Sequence, residues 1–260
     1  MLDVNNVVAV AYEPRSGYAD PYAVTTTYAR SARELGATIQ MQLEALSIEV
    51  ENGRVTGVVT NQGTVSTGTV VVAAGPWAPP LLGPLGFDIP LEPVRHQVVQ
   101  IQRPWDILPQ HPAVADIATK ASFRPDGDQF TLIGVGEDEI VDRDSFNPAV
   151  DLQPAAEAFE RASRRMPALG QGYFRGGWAG LFTVTPDWHP VLDRLAGTEG
   201  AYCAVGFSGH GFKLAPMIGV VMSELVTEGH ASAIDITPLR ASRFPEGDLV
   251  RSSYRYSVLA

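Results

Sequence analysis

Apolar residues recur at two periods along this chain, and the changes of period divide it. Over residues 22–35, Tyr22, Ala29, Ala32 and Leu35 return at helical spacing; Asp20 and Pro21 supply an N-cap and first turn, and Gly36 stops the pattern. Residues 45–50, 55–60 and 64–65 are short apolar runs separated by Asn52-Gly53 and Asn61-Gln62-Gly63, which predicts a β-meander with hairpin turns. Val70-Val71-Val72-Ala73 is continuously apolar, as expected of a strand covered on both faces. From Pro90 the texture changes. Residues 94–102 alternate, 121–123 and 130–135 add strands, and 153–166 reads as a helix over a sheet, with Ala155, Ala158, Phe159 and Ala162 inward. Residues 173–184 and 202–205 return to strand, and 217–228 is helical. Past Ile236 the chain carries Pro238, Pro245 and many arginines and serines, a segment expected to pack along the surface or to be partly mobile.

The most informative stretch joins the 202–205 strand to the last helix: Gly206-Phe207-Ser208-Gly209-His210-Gly211-Phe212-Lys213. Three glycines at a strand-to-helix junction let backbone approach a flat or phosphorylated ligand, and the helix N-terminus adds unpaired N–H groups and partial positive charge. Taken bare, such a loop serves plain packing equally well. Ser208 does not make a hydrolase turn, because Gly-x-Ser-Gly is one residue short of Gly-x-Ser-x-Gly.

The order of residues adds to this. Gly206 to Lys213 resembles the C-terminal flavin loop of the D-amino-acid oxidase and sarcosine oxidase superfamily of FAD-dependent amine oxidoreductases. Gly17-Tyr18-Ala19-Asp20-Pro21 with Gly36-Ala37, Val70-Val71-Val72-Ala73-Ala74-Gly75-Pro76-Trp77, and Trp178-Ala179-Gly180-Leu181-Phe182-Thr183-Val184-Thr185-Pro186-Asp187 are similar to further segments of that family, in its order. The resemblance implies an α+β fold with an α/β remnant: part of an FAD-binding layer plus an antiparallel-sheet substrate domain with a covering helix. Residues 1–89 would form a partial FAD-binding domain with the β-meander and 90–180 the substrate-binding sheet. Residues 181–236 would return to the FAD-binding domain, and 237–260 form a tail.

The family also opens with a strand, a Gly-x-Gly-x-x-Gly turn and a helix that hold the FAD pyrophosphate. Gly134-Val135-Gly136 is followed by Glu137-Asp138-Glu139, whose carboxylates would repel a pyrophosphate. The chain is therefore expected to be truncated relative to the family, by gene model, by fragmentation or as one half of a split enzyme.

The resemblance implies roles for named residues. Lys213 would bind a substrate carboxylate beside the flavin, where on position alone a surface lysine is the alternative, and His210 would contact the ring or fill space. Ala74, Gly75, Gly180, Gly206, Phe207, Ser208, Gly209, Gly211 and Phe212 would line the cofactor. Gly180 stands where some sarcosine oxidases carry the cysteine that tethers flavin, so FAD would be held non-covalently. Phe182 stands near the place of a substrate-binding arginine in glycine-oxidase-like members, which favours a sarcosine-like N-methyl amine over a primary amino acid. The implied reaction is FAD-dependent oxidation of a secondary or tertiary amino acid to an imine that water hydrolyses. The alternative is a non-catalytic fragment, or a subunit needing a second chain to complete the FAD site; loss of the first layer would then leave an apolar face around residues 70–73 and 202–205.

Composition bounds these readings. The chain has 260 residues, 45% hydrophobic and 18% charged, enough for a sizeable core. A formal net charge of −10 argues against nucleic acid or anionic membrane as a partner, and leaves a small amino-acid substrate and an N-terminal partner chain or segment open. His96 and His189 lack partners at ligand spacing, so no metal site is expected, and Asp187 is expected to cap the Thr-Pro-Asp turn. The lone Cys203 predicts a buried, inert thiol. Without a basic n-region or an apolar run near the roughly 20 residues of a membrane span, cytoplasmic localisation is expected.

Overall fold

The helical period after Asp20 becomes helix α1, Pro21–Glu34. Gly36 closes it at φ 96°, and Ala37 donates its N–H to the Ala32 carbonyl at 2.9 Å. None of its residues is buried; Val24, Ala29 and Ala32 are half-buried. The meander follows as β1 (Ala45–Glu51), β2 (Arg54–Thr60) and β3 (Gly63–Ser66), in that order in one sheet. Asn52 and Gly53 join the first two at φ 52° and 75°, the pair of positive φ values that a two-residue hairpin turn requires. Next come β4 (Val70–Val72) and a single helical turn, α2 (Pro79–Leu82), which buries Leu82.

The structure is a computed structural model that describes residues 2–251, leaving aside the side chains of residues 136–138. Its contacts divide the chain into two units: one of residues 2–20 with Val94–Leu181, the other of Pro21–Pro93 with residues 182–251.

The first unit is built on β5 (Glu92–Gln102), β6 (Val114–Asp116), β7 (Ala121–Asp126), β8 (Phe130–Ile140) and β9 (Tyr173–Val184), in the order β6-β7-β8-β5-β9. The pairs β6–β7, β7–β8 and β5–β8 are antiparallel. Helix α3 (Leu152–Arg165) buries Ala155, Ala158 and Ala162 in a core with Val99, Ile101, Phe123, Ile133 and Val135. Arg95 is 4% exposed and pins the connection before α3, donating to the Asn147 carbonyl (2.8 Å) and the Asp151 carboxylate (2.7 Å). Gly134-Val135-Gly136 lies inside β8, so these glycines belong to a strand and not to a strand–turn–helix junction. Residues 2–20 join this unit: Asp3 donates its N–H to the Arg165 carbonyl at 2.8 Å, and the Arg124 guanidinium lies 5.0 Å from the Tyr18 ring centre.

The chain then returns through β10 (Val191–Arg194), β11 (Ala201–Val205), α4 (Gly211–Glu228) and α5 (Arg243–Glu246). Strand β11 lies between β10, antiparallel, and β4, parallel, with Ala201 opposite Val70. Gly200 permits this start: a Cβ there would sit 2.0 Å from the Gly68 carbonyl oxygen, and its φ is 84°. Every residue of β11 is buried, including Cys203.

Several sequence expectations change here. The run at 202–205 is fully covered, because α4 packs on one side of it and the Val55, Val72 and Leu82 cluster on the other. The open apolar surface is instead Val71 (41% exposed), on edge strand β4, with Phe212, Met217 and Val220 on α4. Strand β4 is thus not covered on both faces. Helix α4 begins at Gly211 and not at Met217; Gly211 and Pro216 look like breakers, yet the helix runs through both. The tail is anchored through residue 250 by a fully buried Arg243, and residues 252–260 lie outside the described part. No helix among the described residues is long and apolar enough to cross a membrane.

Candidate functional site

Parallel strands β4 and β11 each run into a glycine turn and then a helix, and the carboxyl ends of neighbouring parallel strands are where α/β layers form ligand crevices. After β4, Ala74 (φ −87°, ψ 15°) and Gly75 (φ 53°) turn the chain into a short 3-10 helix, Gly75–Trp77. After β11, Gly206, Ser208 and Gly209 take φ values of 71°, 47° and 83° before α4 starts. Thr183, near the end of β9, adjoins both turns. A Cβ on Gly75 would lie 3.6 Å from its Oγ1, and its carbonyl accepts the Ser208 N–H at 2.9 Å.

Two loop residues are held by packing and hydrogen bonds within the protein. A Cβ on Gly206 would sit 2.5 Å from Thr185 Cγ2 and 3.0 Å from Leu91 Cδ2, so this glycine is required by packing as well as by its φ. Ser208 is fully buried; its hydroxyl accepts the Thr185 N–H at 3.2 Å and donates to the Gly206 carbonyl at 3.2 Å. Its side chain is therefore inside the loop, which leaves its backbone as the part that could line a ligand.

The rest of the loop faces outward. His210 occupies the N-cap of α4 with no side-chain capping bond, and the first turn of the helix holds no acidic residue. The positive end of an 18-residue helix is thereby left to other acceptors. Burial, and after it the charge of Lys213, holds the His210 imidazole below its ordinary 6.5, so it is neutral at pH 7. Gly211 must be small because a Cβ would meet Phe207 at 3.0 Å. Phe207 and Gly209 are half-buried, while Phe212 and Lys213 are exposed.

The structure thus brings Ala74, Gly75 and the loop from Gly206 to Lys213 into one unit. Gly180 belongs to the other, in β9, where it is exposed and a Cβ would meet nothing within 4 Å. Asp187 does cap its turn, accepting the His189 N–H at 3.2 Å, but its carboxylate is also held by Arg243, a residue the sequence reading passed over. Thr183 and Thr185 stand in the Thr-Val-Thr-Pro-Asp run, but their bonds to Ser208 span more than twenty residues and leave no spacing signal in the sequence. Among the described residues no group of three or more His, Cys, Asp or Glu could hold a metal ion. Two glycine turns, an uncapped helix N-terminus, a neutral imidazole and a lysine, without a carboxylate in the first turn, fit the acceptor edge of a flavin and an anionic substrate group.

Comparison with known proteins identifies the family. A family model described as FAD dependent oxidoreductase matches residues 2–225. N-methyl-L-tryptophan oxidase from Salmonella dublin is 28% identical over 90% of this chain and 63% of its own length. The β subunit of sarcosine oxidase from Rhodobacter capsulatus is 25% identical over 97% of this chain and 59% of its own. Among solved structures, L-proline dehydrogenase from P. horikoshii superposes with a TM-score of 0.88 and 31% identity, covering 96% of this chain and 66% of that one. The chain therefore spans under two thirds of the length of these relatives.

Proposed function

Since the chain belongs to the FAD dependent oxidoreductase family, we propose that it takes part in oxidising a secondary or tertiary amino acid, an N-methyl amine of the sarcosine kind. The observation that carries the proposal is Lys213, set in the first turn of α4 beside an uncapped N-terminus and two glycine turns. N-methyl-L-tryptophan and L-proline, after which two of these relatives are named, share a secondary amine next to a carboxylate. Bound FAD would supply a hydride acceptor for the carbon bearing the amine, and the resulting imine (iminium from a tertiary amine) would be hydrolysed by water.

In this reading Lys213 pairs with the substrate carboxylate and so fixes where the amine lies. The N–H groups of Gly211 and Phe212, in the uncapped first turn of α4, would stabilise the negative charge that grows on the flavin on reduction. Gly75 and Gly209, both at positive φ, let backbone approach the cofactor, with Ala74, Phe207 and Gly206 forming the wall behind. Gly180 offers no thiol, which supports non-covalent binding. Neutral His210 adds a hydrogen-bonding group without adding charge.

Activity further requires that a separate polypeptide segment cover edge strand β4, α1 and the apolar side of α4. A helix of about a dozen residues is marginal in water without contacts, and α1 buries nothing. Parallel strands ordinarily need both faces covered, and Val71 is exposed.

Titration with FAD followed by desalting tests the reading, on the chain alone and with a co-expressed covering segment. Retained visible flavin absorbance that sarcosine bleaches anaerobically supports it. No retained flavin in either preparation overturns it.

A further inference from the structure

The tail beyond Ile236 does more than follow the surface. Arg243 is the largest fully buried side chain among the described residues, and it makes a planar two-point contact with Asp187: Nε to Oδ2 at 2.7 Å and an Nη to Oδ1 at 3.0 Å. Two further N–H donors go to the carbonyls of His189 (2.8 Å) and Arg240 (3.1 Å), and the guanidinium lies 4.2 Å from the Phe244 ring centre. Asp187 in turn accepts the N–H of Val250 at 3.1 Å, so the tail grips this carboxylate at two places.

On its other side the same turn holds the glycine loop. Thr185 bonds to Asp187 Oδ1 (3.2 Å) and to the His189 carbonyl (2.8 Å) through its hydroxyl. Its N–H donates to Ser208 Oγ, and its Cγ2 fills the space that a Cβ on Gly206 would need. Two residues before Thr185, the Thr183 carbonyl accepts the Ser208 N–H. Ser208 keeps a left-handed φ of 47°, unusual for a residue with a Cβ, and its side-chain and backbone bonds all run within the loop or to this turn.

We propose that residues 237–250 form a latch that sets the conformation of the loop from Gly206 to Lys213 through Arg243, Asp187, Thr185 and Ser208, which act as positioning residues. That the loop so positioned serves a cofactor rests on the function proposed above; the latch itself does not. A buried charge pair is a poor source of net stability but a strict source of geometry, because the guanidinium fork accepts one orientation of the carboxylate. Lysine at 243 would keep the charge and lose the fork.

Amide hydrogen exchange read by mass spectrometry over residues 203–214 tests the latch on the full chain. Arg243→Lys and Asp187→Asn should raise exchange in Gly206 to Gly209 at least tenfold while the β1–β3 meander is unchanged. Arg240→Lys, at an exposed ion pair of the same tail, should change neither. Thr185→Val keeps the volume and the ion pair but removes the hydroxyl, so it should loosen the loop even if the charge variants fold poorly. Loop exchange that stays at the parent rate in Thr185→Val, or that rises in the charge variants no more than in the meander, overturns the proposal. A loop that loosens while FAD affinity stays constant supports the latch and counts against the cofactor reading.

Discussion

Thr185 and Gly206 meet so closely that the methyl group of one occupies the place a side chain on the other would take, at 2.5 Å. The loop after β11 can therefore lie against the Thr-Pro-Asp turn only while residue 206 is glycine. Gly206→Ala meets both this clash and a φ of 71°. Overpacking and a left-handed alanine together should cost about 2–4 kcal/mol, read as a lower urea midpoint. Gly180→Ala, where a Cβ would meet nothing within 4 Å, should leave the midpoint unchanged.

Lys213→Met tests substrate binding. A charged hydrogen bond to a carboxylate is worth about 1.5–3 kcal/mol, so KM for an N-methyl amino acid should rise by about 10- to 150-fold. Because that contact is made before and during reaction, kcat should fall much less. A fall in kcat at constant KM would assign the lysine to another task.

Acid should unlatch the tail. Burial alone would push Asp187 up, but the hydrogen bonds and charge of Arg243, with the N–H groups of Val250 and His189, bring it down from 3.8 to about 2. A carboxylate depressed by folding stabilises the protein fully above 3.8, and that stabilisation is lost as pH falls toward 2. The difference corresponds to about 2 kcal/mol. Urea midpoints between pH 5 and 2 should fall more steeply in the parent than in Asp187→Asn, where this carboxylate is gone. Parallel slopes would show that the pair is not coupled to folding.

Cys203 should be silent to thiol reagents. Burial, with the nearby charge of Asp193, pushes its thiol up to about 12, and no part of it is exposed. Native protein at pH 8 should resist iodoacetamide, and alkylation should appear only as urea unfolds the chain. Rapid native alkylation would mean that β11 opens locally.

Local features of this fold were legible in the sequence wherever one residue type dictates one conformation. The Asn52-Gly53 hairpin and the alanine stripe of α3 lie where their patterns put them. Strand β10 offered no such signal, since Val191-Leu192-Asp193-Arg194 is too short to alternate. Helix α4 hid its first turn behind Gly211 and Pro216, two residues that usually end helices. The strand-to-helix loop that carries Lys213 was readable from a contiguous run of residues. Arg243 was not, because a pairing to Asp187 across such a distance leaves no period or spacing in the chain.

The parallel pairing of β4 with β11 also dictates an order of events. Val70 finds its neighbour Ala201 only after the whole sheet that contains β5 to β9 has been made. On the ribosome that intervening sheet can therefore collapse first, while β4 waits with both edges unpaired until β11 arrives to pair one of them. The two glycine turns come together last, so a chaperone that shields β4 during synthesis would govern how much of this protein reaches its working form.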